Sequence, residues 1–335
     1  MSELLLCSEM RLFWLYFLPS SMEELQQRLD SGALVFLDGA VGTELQQMGV
    51  PMDDVAWCAT ALKTHPDTIR QLHEDYIYAG ADIITANTYA SSPHNLAAVG
   101  LGDQAKELNT RAVELARQAV DNTAVDRPVW IAGSLSSFGV YNVSRGSRDV
   151  VPMDVIEASY RMQAAMLAEA KVDLLVLEMV REEEQGGMLL KAALETGLPV
   201  WVGLSCSLAA DGSVKMLSAD NVTGASKLDF AEILNSLMSI GGSTLAVMHS
   251  DVKHITPALK IALEEWTGPM AAYANSGNYY RISRPSFEDA ISPEDYLAYA
   301  REWVELGVQI IGGCCGIGRD HIRVLSHSLP SNAPA

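Results

Sequence analysis

What the chain has little of narrows its function first. Only 23 lysines and arginines stand against 42 aspartates and glutamates, a formal net charge of -19. A surface that acidic suits neither nucleic acid nor anionic membrane, since both need basic patches to neutralise phosphate. Five cysteines, Cys7, Cys58, Cys206, Cys314 and Cys315, are too few and too irregular for a secreted disulfide framework. Reduced thiols in a cytoplasmic protein are the simpler expectation. Long apolar runs are missing too. The segment Leu12–Leu18 (LFWLYFL) is too short to span a bilayer, and the residues ahead of it lack the basic start of a signal peptide. Met22 opens a more ordinary beginning. Residues 1–21 are therefore read as an appendage or a mis-assigned start, and 22–330 as one unit, with homo-oligomerisation left open.

What is there is globular: 49% hydrophobic and 19% charged residues, enough apolar side chain to build a core. From Ala33 onward, short apolar runs alternate with longer amphipathic stretches. The strand candidates are Leu34–Asp38, Asp82–Ala86, Val129–Gly133, Leu174–Glu178, Val200–Ser205, Leu245–His249, Met270–Ala274 and Val308–Gly312. None shows clean polar alternation, as expected of parallel strands buried on both faces. Helical patterns fall between them, such as Pro66–Ala79, Asp103–Asp121 and Pro293–Leu306. Ser292-Pro293-Glu294 reads as an N-cap followed by proline at the first helical position. Repeated strand-then-helix units without a composition break predict an α/β fold, a (β/α)8 TIM barrel. A doubly wound open sheet is the alternative, but LDGAVGTEL after the first strand does not match the GxGxxG fingerprint.

In such a barrel the chemistry gathers where strands end. Those ends carry Asp38, Asn87-Thr88-Tyr89, Ser134, Glu178, Ser205-Cys206, His249, Asn275-Ser276 and Cys314-Cys315. The sharpest signal is IIGGCCG, residues 310–316, where two thiols leave the last strand together. A catalytic zinc takes three protein ligands and keeps a fourth position for substrate. Two adjacent cysteines plus one more soft ligand meet that count, whereas a lone buried cysteine usually acts as a small hydrophobe.

Five ordered segments resemble the homocysteine S-methyltransferase family: LDGAVGTELQQMGV, LHEDYIYAGADIITANTYASS, LLVLEM, YANSG and IIGGCCGIGRDHI. They run from about Phe36 to Ile322. The resemblance implies a barrel holding Zn2+, in which a thiol displaces a methyl group from a donor. It implies that Cys314 and Cys315 are two zinc ligands and that Asp38 and Glu178 hold the ammonium group of the acceptor. It also implies that Gly39 lets the substrate approach the backbone and that Tyr89 lies near the donor. Asn87 and Asn275 join these as candidate substrate contacts. The partners expected are small molecules, homocysteine and a methyl donor.

Two departures matter. The family supplies its first zinc cysteine from the end of the sixth strand, where this chain reads TLAVMHSD and offers His249. His/Cys/Cys is chemically sound for zinc, and Cys206 is the alternative third ligand. In the donor segment SLSSFGVYNVSRGSRDV, Phe138 and Tyr141 are followed by Arg145 and Arg148, which suit a carboxylate-bearing donor. Trp57 and Tyr273 are read as either aromatic faces for the donor or, the favoured role, core packing. Two other functions stay in view: a zinc-activated water in a hydrolase, and a barrel that has lost catalysis and acts as a scaffold.

Overall fold

The computed structural model describes residues 20–139, 151–218, 224–277 and 289–332. Tyr141, Arg145 and Arg148 lie outside these residues, as do Cys7 and the run Leu12–Leu18. Eight parallel strands make the main sheet: β1 (Val35–Phe36), β2 (Ile83–Ala86), β3 (Trp130–Ser136), β4 (Leu174–Val180), β5 (Val200–Leu204), β9 (Thr244–Asp251), β10 (Met270–Asn275) and β11 (Ile310–Ile311). Their order is β1-β11-β10-β9-β5-β4-β3-β2. A parallel bridge between Leu37 and Ile83 closes the ring, with Asp38 N donating to Ile83 O at 2.9 Å. The expected eight-stranded barrel is the observed fold.

Strands buried on both faces have no reason to alternate polar with apolar residues. All seven residues of β3 are buried, as are all six of β10. One apolar cluster fills the lumen and another lies between strands and helices. Met22, Leu25 and Leu29 of the helix Ser20–Asp30 belong to the lumen cluster beside Trp130 and Ile310. That helix therefore plugs the N-terminal end of the barrel, with Arg28 paired to Asp82 at 3.2 Å and stacked 5.6 Å from the Trp130 ring centroid. Burying a leucine such as Leu25 is worth about 2 kcal/mol. The opposite end stays open for chemistry.

The helix signals hold as well. Pro66–Tyr78, Ala105–Thr123 and Pro293–Glu305 are helices, and Ser292 Oγ caps the last by accepting from Asp295 N at 3.1 Å. A small antiparallel sheet that the apolar pattern did not reveal follows β5: β6 (Cys206–Leu208), β7 (Val214–Leu217) and β8 (Ala225–Asp229). No helix among the described residues is long and apolar enough to cross a membrane.

Candidate active site

Two bulges shape the open end. Opposite β5, β4 carries one extra residue between Leu177 and Val180, and Met179 adopts φ +57°. Opposite β10, β9 gains one between Met248 and Asp251, and His249 adopts φ +43°. Non-glycine residues in this left-handed region cost on the order of 1–3 kcal/mol each, and such strain clusters at functional sites. A bulge also redirects the side chains beside it. Glu178 and His249 both face one cavity. Gly203 on β5 lies against both strands, since a Cβ there would stand 2.5 Å from Leu177 O and 2.9 Å from Met248 Cγ.

The cavity encloses about 640 Å³, counted out to its mouth, and Asp38, Gly39, Asn87, Tyr89, Glu178, His249, Cys314 and Cys315 line it. His249 Nδ1 lies 3.4 Å from Cys314 Sγ and 3.9 Å from Cys315 Sγ. The three ligand atoms fall within 4.8 Å of one another, close enough to share a metal ion. Tetrahedral zinc with its usual bond lengths would separate nitrogen from sulfur by about 3.6 Å. The donor set and its spacing therefore fit such an ion. Cys206 lies elsewhere: its amide donates to Ser250 Oγ at 2.8 Å and its thiol faces His254 O at 3.9 Å.

The paired cysteines are held by backbone. Cys314 N donates to Ala274 O and Ser276 N to Cys315 O, each at 2.9 Å, while Ile317 N returns to Cys314 O. Gly316 makes this turn available: its φ is +80°, and a Cβ would stand 1.8 Å from Ser276 O. Tyr296, buried on the helix Pro293–Glu305, fastens the ends of β10 and β11. Its hydroxyl accepts from Ala274 N and donates to Gly312 O at 2.7 Å. The sequence reading missed that role, because a helix tyrosine facing the sheet carries no local signal.

The acids sit in low dielectric. Asp38 accepts from Thr85 N at 2.7 Å and from Thr85 Oγ1 at 2.9 Å. Burial nevertheless pushes its pKa up to about 7, with the charge of Glu178 adding to the rise. Burial also raises Glu178, against a hydrogen bond from Ser134 Oγ and the nearby His249. Buried Asp38 and half-buried Glu178, sharing a cavity, are suited to meet a cation. The Cys314 thiol is pushed up by its hydrogen bond with Cys315 and by burial, with His249 working against the rise.

The other predicted positions divide. Asn87 is locked to Cys58, accepting from its thiol at 3.0 Å and donating to its carbonyl at 3.1 Å. Asn275 is buried, and neither amide atom has a hydrogen-bond partner, although it does not line the cavity. Gly39 lines it, and a Cβ there would also stand 2.3 Å from Ile317 O, so packing alone already demands glycine. Tyr273 is buried in the lumen cluster, as expected, and also lines the cavity; Trp57 packs against the core and lines it too. Trp57, Tyr89 and Phe138 form an aromatic cluster, with Tyr89 5.6 Å from Trp57 and 5.3 Å from Phe138 between ring centroids. From sequence an aromatic face was the less favoured role for Trp57, because it sits in a loop away from any strand end.

Known proteins agree with this architecture. The sequence model of the homocysteine S-methyltransferase family matches residues 35–329. Homocysteine S-methyltransferase YbgG of Bacillus subtilis (strain 168) is 31% identical over 320 residues, covering 91% of this chain and 97% of the relative. Selenocysteine methyltransferase of Astragalus bisulcatus is 28% identical, covering 90% and 94%. Among solved structures, the metallated form of the homocysteine methyltransferase MmuM from Escherichia coli superposes with a TM-score of 0.71 at 24% identity, covering 91% of this chain and 99% of that one. With the motifs in order on a matching barrel, the chain belongs to the homocysteine S-methyltransferase family.

Proposed function

We propose that this enzyme moves a methyl group from a small onium donor, a sulfonium or betaine-like compound, to the thiol of homocysteine, with His249, Cys314 and Cys315 holding a zinc ion. The observation that carries the reading is the convergence of those three ligand atoms in one cavity with Asp38 and Glu178. When bound, such an ion deprotonates a thiol and fixes the direction of its sulfur.

The chain's own residues do the rest. Asp38 and Glu178 take the ammonium group of homocysteine, which favours their ionised forms against the burial that opposes them. The faces of Trp57, Tyr89 and Phe138 suit a cationic methyl donor, because ring quadrupoles attract a positive charge that has shed water. As the new carbon–sulfur bond forms, the bond from methyl to donor breaks and its electron pair returns to the donor heteroatom, which leaves neutral. The acidic surface and free thiols suit a reducing compartment, the cytoplasm, and residues 22–330 act as one homocysteine-binding barrel.

The test is a panel of deuteromethyl donors offered with homocysteine, with methionine read by mass spectrometry. Labelled methionine from a sulfonium or quaternary ammonium donor is expected. If no onium donor yields it while the protein carries its zinc, this reading fails.

A further inference from the structure

Tyr273 lies on β10 inside the cavity. It is 1% exposed, and its hydroxyl has no hydrogen-bond partner. Such a group is costly in a folded protein, because desolvation is not compensated. The hydroxyl is seated against β5, where a Cβ on Gly203 would stand 3.1 Å from it. Burial holds it protonated, and the charges of Glu178, Cys314 and Asp38 act in the same direction. It is therefore an unused donor in a cavity that Asp38, Glu178, Cys314 and Cys315 also line.

We infer that Tyr273 is a specificity-determining contact, whose hydroxyl donates a hydrogen bond to the sulfur of the bound thiol acceptor. This rests on the proposed acceptor and adds to it. The substrate's carboxylate is a poor alternative partner, because Asp38 and Glu178 line the same cavity and repel an anion that no bound cation neutralises. Its ammonium has no lone pair to accept with. What remains is the reacting sulfur, which belongs beside Cys314. A charged sulfur accepts such a bond strongly, and a thioether accepts weakly. Tyr273 thus favours the acceptor over the methylated product and helps methionine leave.

The experiment compares wild type with Tyr273→Phe, both loaded with one equivalent of zinc, by calorimetric titration with homocysteine, methionine and norvaline. Norvaline keeps the amino-acid head and puts a methyl where the thiol stands. The phenylalanine variant should lose roughly tenfold in affinity for homocysteine and nothing for norvaline, and its preference for homocysteine over methionine should shrink. Equal weakening for homocysteine and norvaline would overturn the proposal, because the hydroxyl would then serve the common head group. No change for any ligand would overturn it too. Wild-type protein that binds homocysteine no better than norvaline is a different failure, that of the acceptor reading, and the role of Tyr273 falls with it. Comparing ligands within one variant separates these outcomes from any general loss of fold.

Discussion

His249 Nδ1 and Cys314 Sγ lie 3.4 Å apart although 65 residues separate them in the chain. The contact joins the end of β9 to the loop after β11, with β10 between the two strands. His249 gets there through a strained backbone, φ +43°, in a bulge. If that strain serves metal binding, His249→Ala should drop zinc from about one equivalent to less than half after dialysis against a competing chelator. Cys206→Ser should keep it. Metal analysis by plasma mass spectrometry decides, and retention by the histidine variant with loss in the serine variant would hand the third ligand to Cys206.

Asp38 offers a pH test. Its pKa is raised by burial to about 7, so the carboxyl loses its charge as the pH falls below that value. A cation needs the ionised form. Affinity for norvaline, which carries the ammonium and no thiol, should therefore rise roughly fivefold to tenfold between pH 6 and 7.5. Asp38→Asn should bind it more weakly and lose that pH dependence. A wild-type titration that is flat across this window contradicts the assignment.

His73 offers a test of stability, with its pKa shifted down rather than up. It is fully buried with neither ring nitrogen hydrogen-bonded, and burial holds its pKa down at about 4. A lowered histidine contributes stability that is complete above its unfolded pKa and is lost as pH falls from there toward 4. At pH 5 the loss is on the order of 2 kcal/mol. His73→Leu should narrow the gap between urea midpoints at pH 7 and pH 5. An unchanged gap would show that His73 does not drive the acid sensitivity.

Tyr89→Leu should raise KM for the methyl donor by roughly 3- to 30-fold, the range of a partly desolvated cation–aromatic contact. KM for homocysteine should move little. Steady-state kinetics with each substrate varied in turn gives the answer, and a shift confined to homocysteine would remove Tyr89 from the donor side.

Gly316→Ala is predicted to destabilise the fold by about 2–4 kcal/mol, from a strained φ and a clash with backbone that cannot step aside. Denaturant unfolding measures it. A neutral result would mean that the turn after the paired cysteines is looser than its contacts indicate.

The barrel was readable because its strands are buried on both faces along most of their length, so the apolar runs stand out, as in Leu174–Leu177 ahead of Glu178. The paired cysteines were readable because thiols follow glycines at a strand end. Other features depend on contacts that no local pattern records. The bulges at Met179 and His249 answer to partner strands, and Trp57 reaches the cavity from a loop with φ +45°. The sheet β6–β8 is built from short runs such as Cys206–Leu208, too brief to stand out beside the barrel strands. Core packing was the favoured reading of Tyr273 because it is an aromatic within an apolar strand, and its place in the cavity wall and its unpartnered hydroxyl tell it apart from a packing residue.

The central claim is that the acceptor sulfur joins the histidine and the two cysteines at one ion. X-ray absorption at the zinc edge measures this, with protein alone and with homocysteine added. The account predicts about two sulfur neighbours rising to about three. A sulfur shell that does not change at saturating homocysteine would contradict it.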